Sequence, residues 1–557
     1  MARRLYNFHG GLSLDDHKYE PTRLSAAPSH IPPRLYLPLQ QHIGSAAAPV
    51  VGVGEHVLKG QLIAHATDYI SASVHASSSG IVEAIAEFPL PHPSGLQGTC
   101  IVIRTDGLDR WSVRDHLPRT DYRTRDPHEL RQMIRDAGIV GMGGAGFPTA
   151  VKLNPGPNVK IDTLILNGAE CEPYITCDDL LMRERPEEIV EGMLIMQHIL
   201  QADTCIIAIE SNKQEAYRCM LAATQAAQNA ALEVVMIPTI YPTGGEKQLI
   251  QALTGREVPA GGLPAKIGIV MQNVATAAAV YRAVVLGEPL IARYVTLAGG
   301  VPHACNLEVL LGTPVRYLIE EMHGVRATVD KIIMGGPMMG FALPLDDVPI
   351  VKTSNAILIS TVADRPLPAR VEASACIRCG ECTRVCPAQL LPQQLYWYAR
   401  AREFERVQQY HLFDCIECGC CDYVCPSHIP LVQYYRYAKT EISAQIRDKQ
   451  KAEAARQRHE TRLQRLERQK LERAQRHETR KHLVENNADN STTGGAGNDT
   501  KKAAILAAVE RSKIKRATSE GAQKNVENPP SDVQQKISEV DARCAKKCPE
   551  PRDDSAN

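Results

Sequence analysis

The sequence predicts a multidomain chain of mixed α/β and α+β class. Three observations carry that expectation: short β runs broken by small turn residues between about 31 and 115, apolar strands alternating with helix-like stretches from about 128 to 290, and two matching cysteine units between 376 and 425. With 557 residues and 44% hydrophobic content but only two Trp and six Phe, the chain has room for about three or four modest cores poor in large aromatics. Its 63 Lys and Arg cancel 63 Asp and Glu, so no global field steers it toward nucleic acid and no such partner is expected.

Residues 1 to 30 read as an N-terminal extension. The start, "MARRLYNFHGGLSL", has two arginines without a following apolar run, the pattern of a mature cytosolic terminus and not of a secretory or twin-arginine signal. The module at 31 to 115 contains "VGVGEHVLKGQLI" followed by "SSSGIVEAI" and resembles the barrel-sandwich fold of lipoyl and biotinyl domains. Those domains carry a modified lysine at a hairpin tip, where this chain has "ATDYISASV". A structural platform is therefore expected, not a swinging-arm carrier.

Residues 116 to 290 hold the strands "DTLILNGA", "TCIIAIE" and "LEVVMIP" among helix-like stretches, the alternation of an α/β layer that can take a nucleotide. The most apolar long window, "IGIVMQNVATAAAVYRAVVLGEPLI", is interrupted by Gln272, Asn273, Arg282 and Glu288, which are costly at mid-bilayer, so no membrane span is expected. Residues 291 to 364 read as a β-rich domain with one helix, resembling the β-grasp insert of respiratory flavoproteins and carrying no chemistry of its own. Between Lys439 and Glu485, 14 Lys or Arg face 8 Asp or Glu without a sustained heptad seam; this reads as a solvated charged helix or as a basic helix touching anionic lipid or a partner. Residues 486 to 557, with "ENNADNSTTGGAGNDT" and "ENPPSDVQQ", cannot bury a core and are expected to be mostly disordered, with a short helix at "KKAAILAAVERSKIKRA".

Nine of the 17 cysteines crowd into residues 376 to 425 and six scatter singly through apolar stretches. A metal site in a reducing compartment suits this better than disulfides, with the scattered thiols as buried small hydrophobes. Within 365 to 438, "CIRCGECTRVCP" supplies Cys376, Cys379, Cys382 and Cys386, and "CIECGCCDYVCP" supplies Cys415, Cys418, Cys421 and Cys425. Three thiolates at C-x2-C-x2-C spacing wrap three corners of an iron-sulfur cube, and the fourth, before proline, reaches the other cube. Two 4Fe-4S clusters are expected in a ferredoxin-like domain: Cys376, Cys379 and Cys382 with Cys425, and Cys415, Cys418 and Cys421 with Cys386. Cys420 is then surplus and should point away from the cube. Zinc prefers closed four-ligand knuckles and fits the triplets poorly.

"GMGGAGFPTAVK" places Gly141, Gly143, Gly144 and Gly146 before Phe147 and Lys152, leaving backbone N–H groups free to approach a phosphate or planar ring. A side chain at Gly144 is expected to block that approach and to demand a left-handed backbone angle. The glycine count alone is weak, and no clear strand precedes it, so the dinucleotide fingerprint does not apply.

That loop is followed by "LILNGAECEP", "PTGGEKQLI" and "MQNVAT", the order found in the flavoprotein subunit of respiratory complex I. With the lysine-less β module ahead and the twin cysteine units behind, residues 1 to 440 resemble the RnfC family of the Rnf/Rsx ion-translocating electron-transport complexes. The resemblance implies noncovalent FMN and NAD(H) on the loop Gly141, Gly143, Gly144, Gly146 and Phe147, with Lys152 near phosphate. Asn167, Glu170 and Glu172 would line the ring and NADH side; Gly245, Glu246 and Asn273 would close around the flavin. Met142 replaces an arginine of the complex I pattern, Ala169 an aspartate and Lys247 the second acid of a glutamate pair; a lysine there could favour a different nucleotide pose.

The function so implied is an NADH-linked oxidoreductase subunit that passes electrons between NADH and a ferredoxin-like partner through FMN and the clusters. It would sit peripherally on the cytoplasmic side of the cell inner membrane, held by the other subunits of the complex. Two alternatives stand beside it: a soluble NAD(P)H-dependent ferredoxin reductase, and a passive iron-sulfur relay whose glycine loop is structural.

Overall fold

The computed structural model describes residues 3 to 112, 122 to 156, 158 to 362, 372 to 489, 504 and 506 to 512. Residues 1 to 447 form one compact unit, and 448 to 557 a second.

Two antiparallel sheets build the first module. One runs Arg34–Pro38, Gln97–Thr105, Gly80–Pro89, His56–Val57; the other Ala48–Pro49, Leu62–His65, Val74–His75. Period-two alternation sets the faces, with Leu35 and Leu37 fully buried beside exposed Arg34. The segment standing where carrier domains expose a lysine is itself inside: Ser71, Ala72 and Ser73 are buried. Ser73 O and Gly138 O both accept from the buried Lys352 Nζ at 2.7 Å. The module is thereby pinned against the base of the glycine loop.

The α/β layer is a four-stranded parallel sheet in the order Leu232–Ile237, Thr204–Glu210, Thr163–Gly168, Ile269–Asn273. Helices cover its faces, so strands such as "TLIL" are apolar on both sides, with Leu164, Ile165 and Leu166 fully buried. From the Thr163–Gly168 strand the chain crosses first to one side and returns last on the other, opening a crevice at the carboxyl ends of Thr163–Gly168 and Ile269–Asn273. The Ile269–Asn273 strand was hidden in the long apolar window because it runs directly into the Val274–Val285 helix. Asn273 caps that helix, its Oδ1 accepting from Ala275 N at 2.8 Å.

A six-stranded mixed sheet follows, ordered Ala27–Pro28, Cys305–Leu310, Ala292–Gly299, Ala356–Thr361, Val329–Met334, Phe341–Ala342, with the helix Val315–Glu321 joining Cys305–Leu310 to Val329–Met334 along the chain. Its edge strand Ala27–Pro28 comes from the N-terminal extension, which stitches distant parts together. Gly11 N donates to Val385 O at 3.0 Å, and Leu12 and Tyr241 exchange backbone bonds of 2.7 and 2.8 Å. The two cysteine units fold alike, each turning at a glycine of positive φ (Gly380 83°, Gly419 78°) into one helical turn, Glu381–Arg384 or Cys420–Tyr423. Beneath them Leu395, Val407, Leu412, Tyr435, Ala438 and Ile442 form a core.

The helix Leu431–Asp489 supplies the last of these residues. Among the described residues no helix is long and apolar enough to cross a membrane. Most of "ENNADNSTTGGAGNDT" and all of "ENPPSDVQQ" lie outside the described residues; within "KKAAILAAVERSKIKRA", residues 504 and 506 to 512 are helical.

Candidate functional site

The crevice at the strand ends contains a cavity of about 430 Å³. All twelve residues singled out from the glycine-loop, acidic and downstream motifs line it: Gly141, Gly143, Gly144, Gly146, Phe147, Lys152, Asn167, Glu170, Glu172, Gly245, Glu246 and Asn273.

The loop closes on itself, Gly141 N donating to Phe147 O at 2.8 Å, and is tied to the Val274–Val285 helix by Met142 N to Thr276 Oγ1 at 3.0 Å. Its left-handed residue is Gly146, φ 70°, where an added Cβ would meet Thr353 Cγ2 at 2.8 Å and Gln41 O of the β module at 3.3 Å. Only glycine fits there. Gly144 is not left-handed, contrary to expectation; a Cβ there meets nothing within 4 Å and opens into the cavity.

Lys152 Nζ does reach the cavity wall, but it is paired with Glu246 Oε1 at 2.6 Å. Asn167 is fixed by Nδ2 donating to Gly244 O at 2.8 Å and Oδ1 accepting from Ala169 N at 3.0 Å. Lys247, the lysine in place of an acid, is not free to change a nucleotide's pose: its Nζ pairs with Asp414 Oδ1 at 3.0 Å.

The acids are held by donors. Glu170 accepts from Asp178 N (2.7 Å) and Asp179 N (3.2 Å) at the start of the Cys177–Glu184 helix, where the dipole favours negative charge. Lys18, from the N-terminal extension, donates to the carbonyls of Glu170 and Ile175, both at 2.6 Å, and so clamps the two ends of the acidic loop. Glu172 accepts from Met338 N at 3.1 Å and Met339 N at 2.6 Å, and burial pushes its carboxyl up to about 7. The β-rich region read as chemically silent thus supplies both donors, and its Met339 and Asn355 line the cavity.

Three participants carried no sequence signal. Asp178 lines the cavity, its carboxyl raised by burial and then by the charge of Glu170. Arg293, also buried, donates to Met142 O at 3.4 Å and is attracted by Cys177 and Asp178. Gln272 lines the cavity with a buried Nε2 that has no hydrogen-bond partner among the described residues. A donor so placed suits a ligand with ring acceptors, and the volume is in the range of small-molecule sites, so the residues fit a flavin mononucleotide. Of the scattered thiols, Cys100 and Cys205 are fully buried, whereas Cys171 lines this cavity.

The cysteine units cross over. Cys386 of the first lines a small cavity of about 20 Å³ with Cys415, Cys418 and Cys421 of the second. Cys425 of the second instead interacts with Cys382, together with Cys379 and Cys376. In neither set do three sulfurs come within 4.8 Å of one another, whereas thiolates on one zinc lie roughly 3.8 Å apart, as a Zn–S bond of about 2.3 Å requires. The wider spread fits a cube with iron at each corner. Cys420 is fully buried and packs with Tyr241, Leu12, Leu14 and Cys171 toward the α/β layer, its thiol against that of Cys418 and lining the same small cavity.

Three family models match the chain: the RnfC barrel sandwich hybrid domain over residues 6–108, the Nuo51 FMN-binding domain over 134–282 and a 4Fe-4S dicluster domain over 375–429. The chain is therefore a multidomain α/β protein with a barrel-sandwich domain, an FMN-binding domain and a 4Fe-4S ferredoxin domain. The RnfC subunit of the ion-translocating oxidoreductase complex of Pseudomonas aeruginosa is 49% identical over 471 residues, 84% of this chain and 60% of that protein. Its namesake from Yersinia pestis is 46% identical over 475 residues, 85% of this chain and 75% of that protein. Among solved structures, an NAD+-reducing [NiFe]-hydrogenase in the H2-reduced state matches at a TM-score of 0.42 and 19% identity, covering 59% of this chain and 64% of that one. The chain spans 60 to 65% of the length of the first curated relatives it matches. Kinship at this identity across three quarters of the Yersinia protein places the chain in the RnfC family of ion-translocating oxidoreductase complexes.

Proposed function

We propose that this chain is the membrane-associated subunit that passes electrons between NADH and ferredoxin-linked partners within an ion-translocating complex, peripheral to the cytoplasmic face of the inner membrane. The observation that carries this reading is the convergence of the twelve motif residues on one cavity whose wall also includes Ile416, the neighbour of the cluster-type ligand Cys415. Bound FMN supplies conversion between two-electron hydride chemistry and one-electron transfer, and two 4Fe-4S clusters supply one-electron carriage.

The residues divide the work of holding these groups. The open face of Gly144 admits a flat ring to the backbone, with Gly146 fixing the turn that presents it. Gln272 Nε2 is a donor available to the ring, and Asn273 and Asn167 set the carboxyl ends of the two strands. Lys152, with its partner Glu246, stands at the phosphate side. Glu172, carried by two backbone donors, lies toward the nicotinamide side, where its raised carboxyl limits repulsion of a dinucleotide.

The test is the purified chain itself. Acid-released FMN, iron near eight atoms per chain as two cubes require, and bleaching of both chromophores by NADH are expected. Iron without flavin would leave a passive relay, and cofactor-loaded protein that never co-fractionates with membranes would leave a soluble reductase.

A further inference from the structure

Between the flavin-type cavity and the thiols lies a dry junction made of Tyr241, Cys418 and Cys420, flanked by Leu12, Leu14, Cys171, Met338 and Ile416. Tyr241 belongs to the α/β layer and is 2% exposed. The residues that follow it, Pro242, Gly244 and Gly245, line the cavity. Its hydroxyl donates across the domain boundary to Cys418 O at 2.6 Å. One phenol therefore links the backbone beside the flavin-type cavity to the backbone of a cluster-type ligand. The N-terminal extension holds it there, through paired backbone bonds of Leu12 with Tyr241 N and O.

We propose that Tyr241 is the positioning residue for electron passage out of the flavin site, and that the set Cys386, Cys415, Cys418 and Cys421 receives the electron first. This rests on the proposed function. The second set lies on the far side of that order, with Cys379 exposed and Ile377 beside it 67% exposed, the side on which a one-electron partner has access. The phenol is not oxidised: a single electron crosses, no bond forms or breaks, and the proton stays on the hydroxyl. Tyr241 contributes in two ways. It excludes water from the junction, and it aims the positive end of an O–H dipole at the ligand backbone, which favours the reduced state of the nearer cluster because hydrogen bonding and solvent exposure set such potentials.

The experiment compares full-length wild type with Tyr241→Phe, which removes one oxygen and keeps the ring. FMN and iron contents should match wild type. In spectroscopically monitored redox titrations one cluster should move to lower potential while the other stays, and the moved signal should be the one lost in Cys386→Ser. The rate of flavin-to-cluster transfer after rapid mixing with NADH should fall. Unchanged potentials and rate in fully loaded Tyr241→Phe, or a shift confined to the cluster that survives Cys386→Ser, would overturn the proposal. If the phenylalanine variant loses iron, infrared difference spectra of wild type with ring-deuterated tyrosine decide the matter: a tyrosine C–O–H band must respond to reduction of the nearer cluster, and its silence is equally fatal. Wild-type protein that binds no FMN would instead defeat the functional reading itself.

Discussion

Asn273 holds Asp178 across the floor of the crevice, its Nδ2 donating to Asp178 Oδ2 at 2.6 Å while its Oδ1 caps the helix that follows. One amide thus joins the carboxyl end of the Ile269–Asn273 strand to the first turn of the Cys177–Glu184 helix, and it does so with a carboxyl that burial and Glu170 hold above its ordinary value.

That carboxyl makes stability pH-dependent. A folded-state pKa raised above the unfolded one means that the native state binds the extra proton, so the stabilisation is complete below the ordinary carboxylate range and is lost as pH rises through the raised value. Glu172, raised to about 7, acts with the same sign. Melting temperature should therefore fall between about pH 5 and about pH 8, and Asp178→Asn should remove part of that slope while preserving an acceptor for Asn273. Adding Glu172→Gln should remove more. Equal slopes in wild type and double variant, measured by thermal melts across the range, would show that neither acid is protonated in the fold.

The glycine loop separates a site defect from a folding defect. Gly144→Val fills open cavity space and should abolish FMN binding while leaving iron and dithionite reduction intact. Gly146→Val forces a branched side chain into left-handed backbone against Thr353 and Gln41, and should destabilise the protein by about 2–4 kcal/mol. Flavin-to-protein ratio and denaturant midpoint check the pair; a folded Gly144→Val variant that retains FMN removes the loop from the site.

Cys386→Ser should lose roughly half the iron, since its thiol sits with the second unit's triplet. Cys420→Ser should keep all of it, because Cys421 occupies the triplet register while Cys420 packs toward Tyr241. Iron analysis of the two variants decides; a Cys420→Ser protein short of one cluster would mean that Cys420, lying against Cys418, is itself a ligand.

The basic helix predicts a salt-sensitive attachment. Its 14 cations against 8 anions between Lys439 and Glu485 should draw it to anionic lipid or an acidic partner, an attraction screened as ionic strength rises. Truncation after Arg447 should leave flavin and clusters intact and weaken membrane retention. A cut after Thr440 is a poorer test, for it removes Ile442, 1% exposed and packed in the cysteine-domain core. Retention that ignores both salt and the truncation would leave the helix merely solvated.

The parts of the site legible in the sequence are those written in short runs. Glycines within "GMGGAGF", acids within "GAECEP" and the cysteine triplets each announce themselves because one backbone stretch supplies several groups. What stayed hidden was made by partners far apart in sequence: Glu172 with Met338, 166 residues away, Lys18 with Glu170, 152 away, and Arg293 with Met142, 151 away. A single lysine in an extension or two methionine amides in a β-rich region carry no periodicity to read. The Ile269–Asn273 strand was obscured for a different reason: it is buried on both faces and continuous with an apolar helix, so no alternation marks where one ends.

The stitching of residues 11 to 18 also bears on how the molecule is made. Gly11 finds Val385 and Lys18 finds the acidic loop only after nearly four hundred and some one hundred and fifty further residues, respectively, have been synthesised. A segment translated early must remain unsatisfied, its apolar Leu12 and Leu14 uncovered, until the cysteine-rich region emerges, and contacts of such separation are slow to close and open to aggregation in the interval. Slow iron delivery to the last-made region would prolong that interval. The yield of intact flavin sites should therefore depend on iron supply, although no cysteine of either unit lines the flavin-type cavity among the described residues.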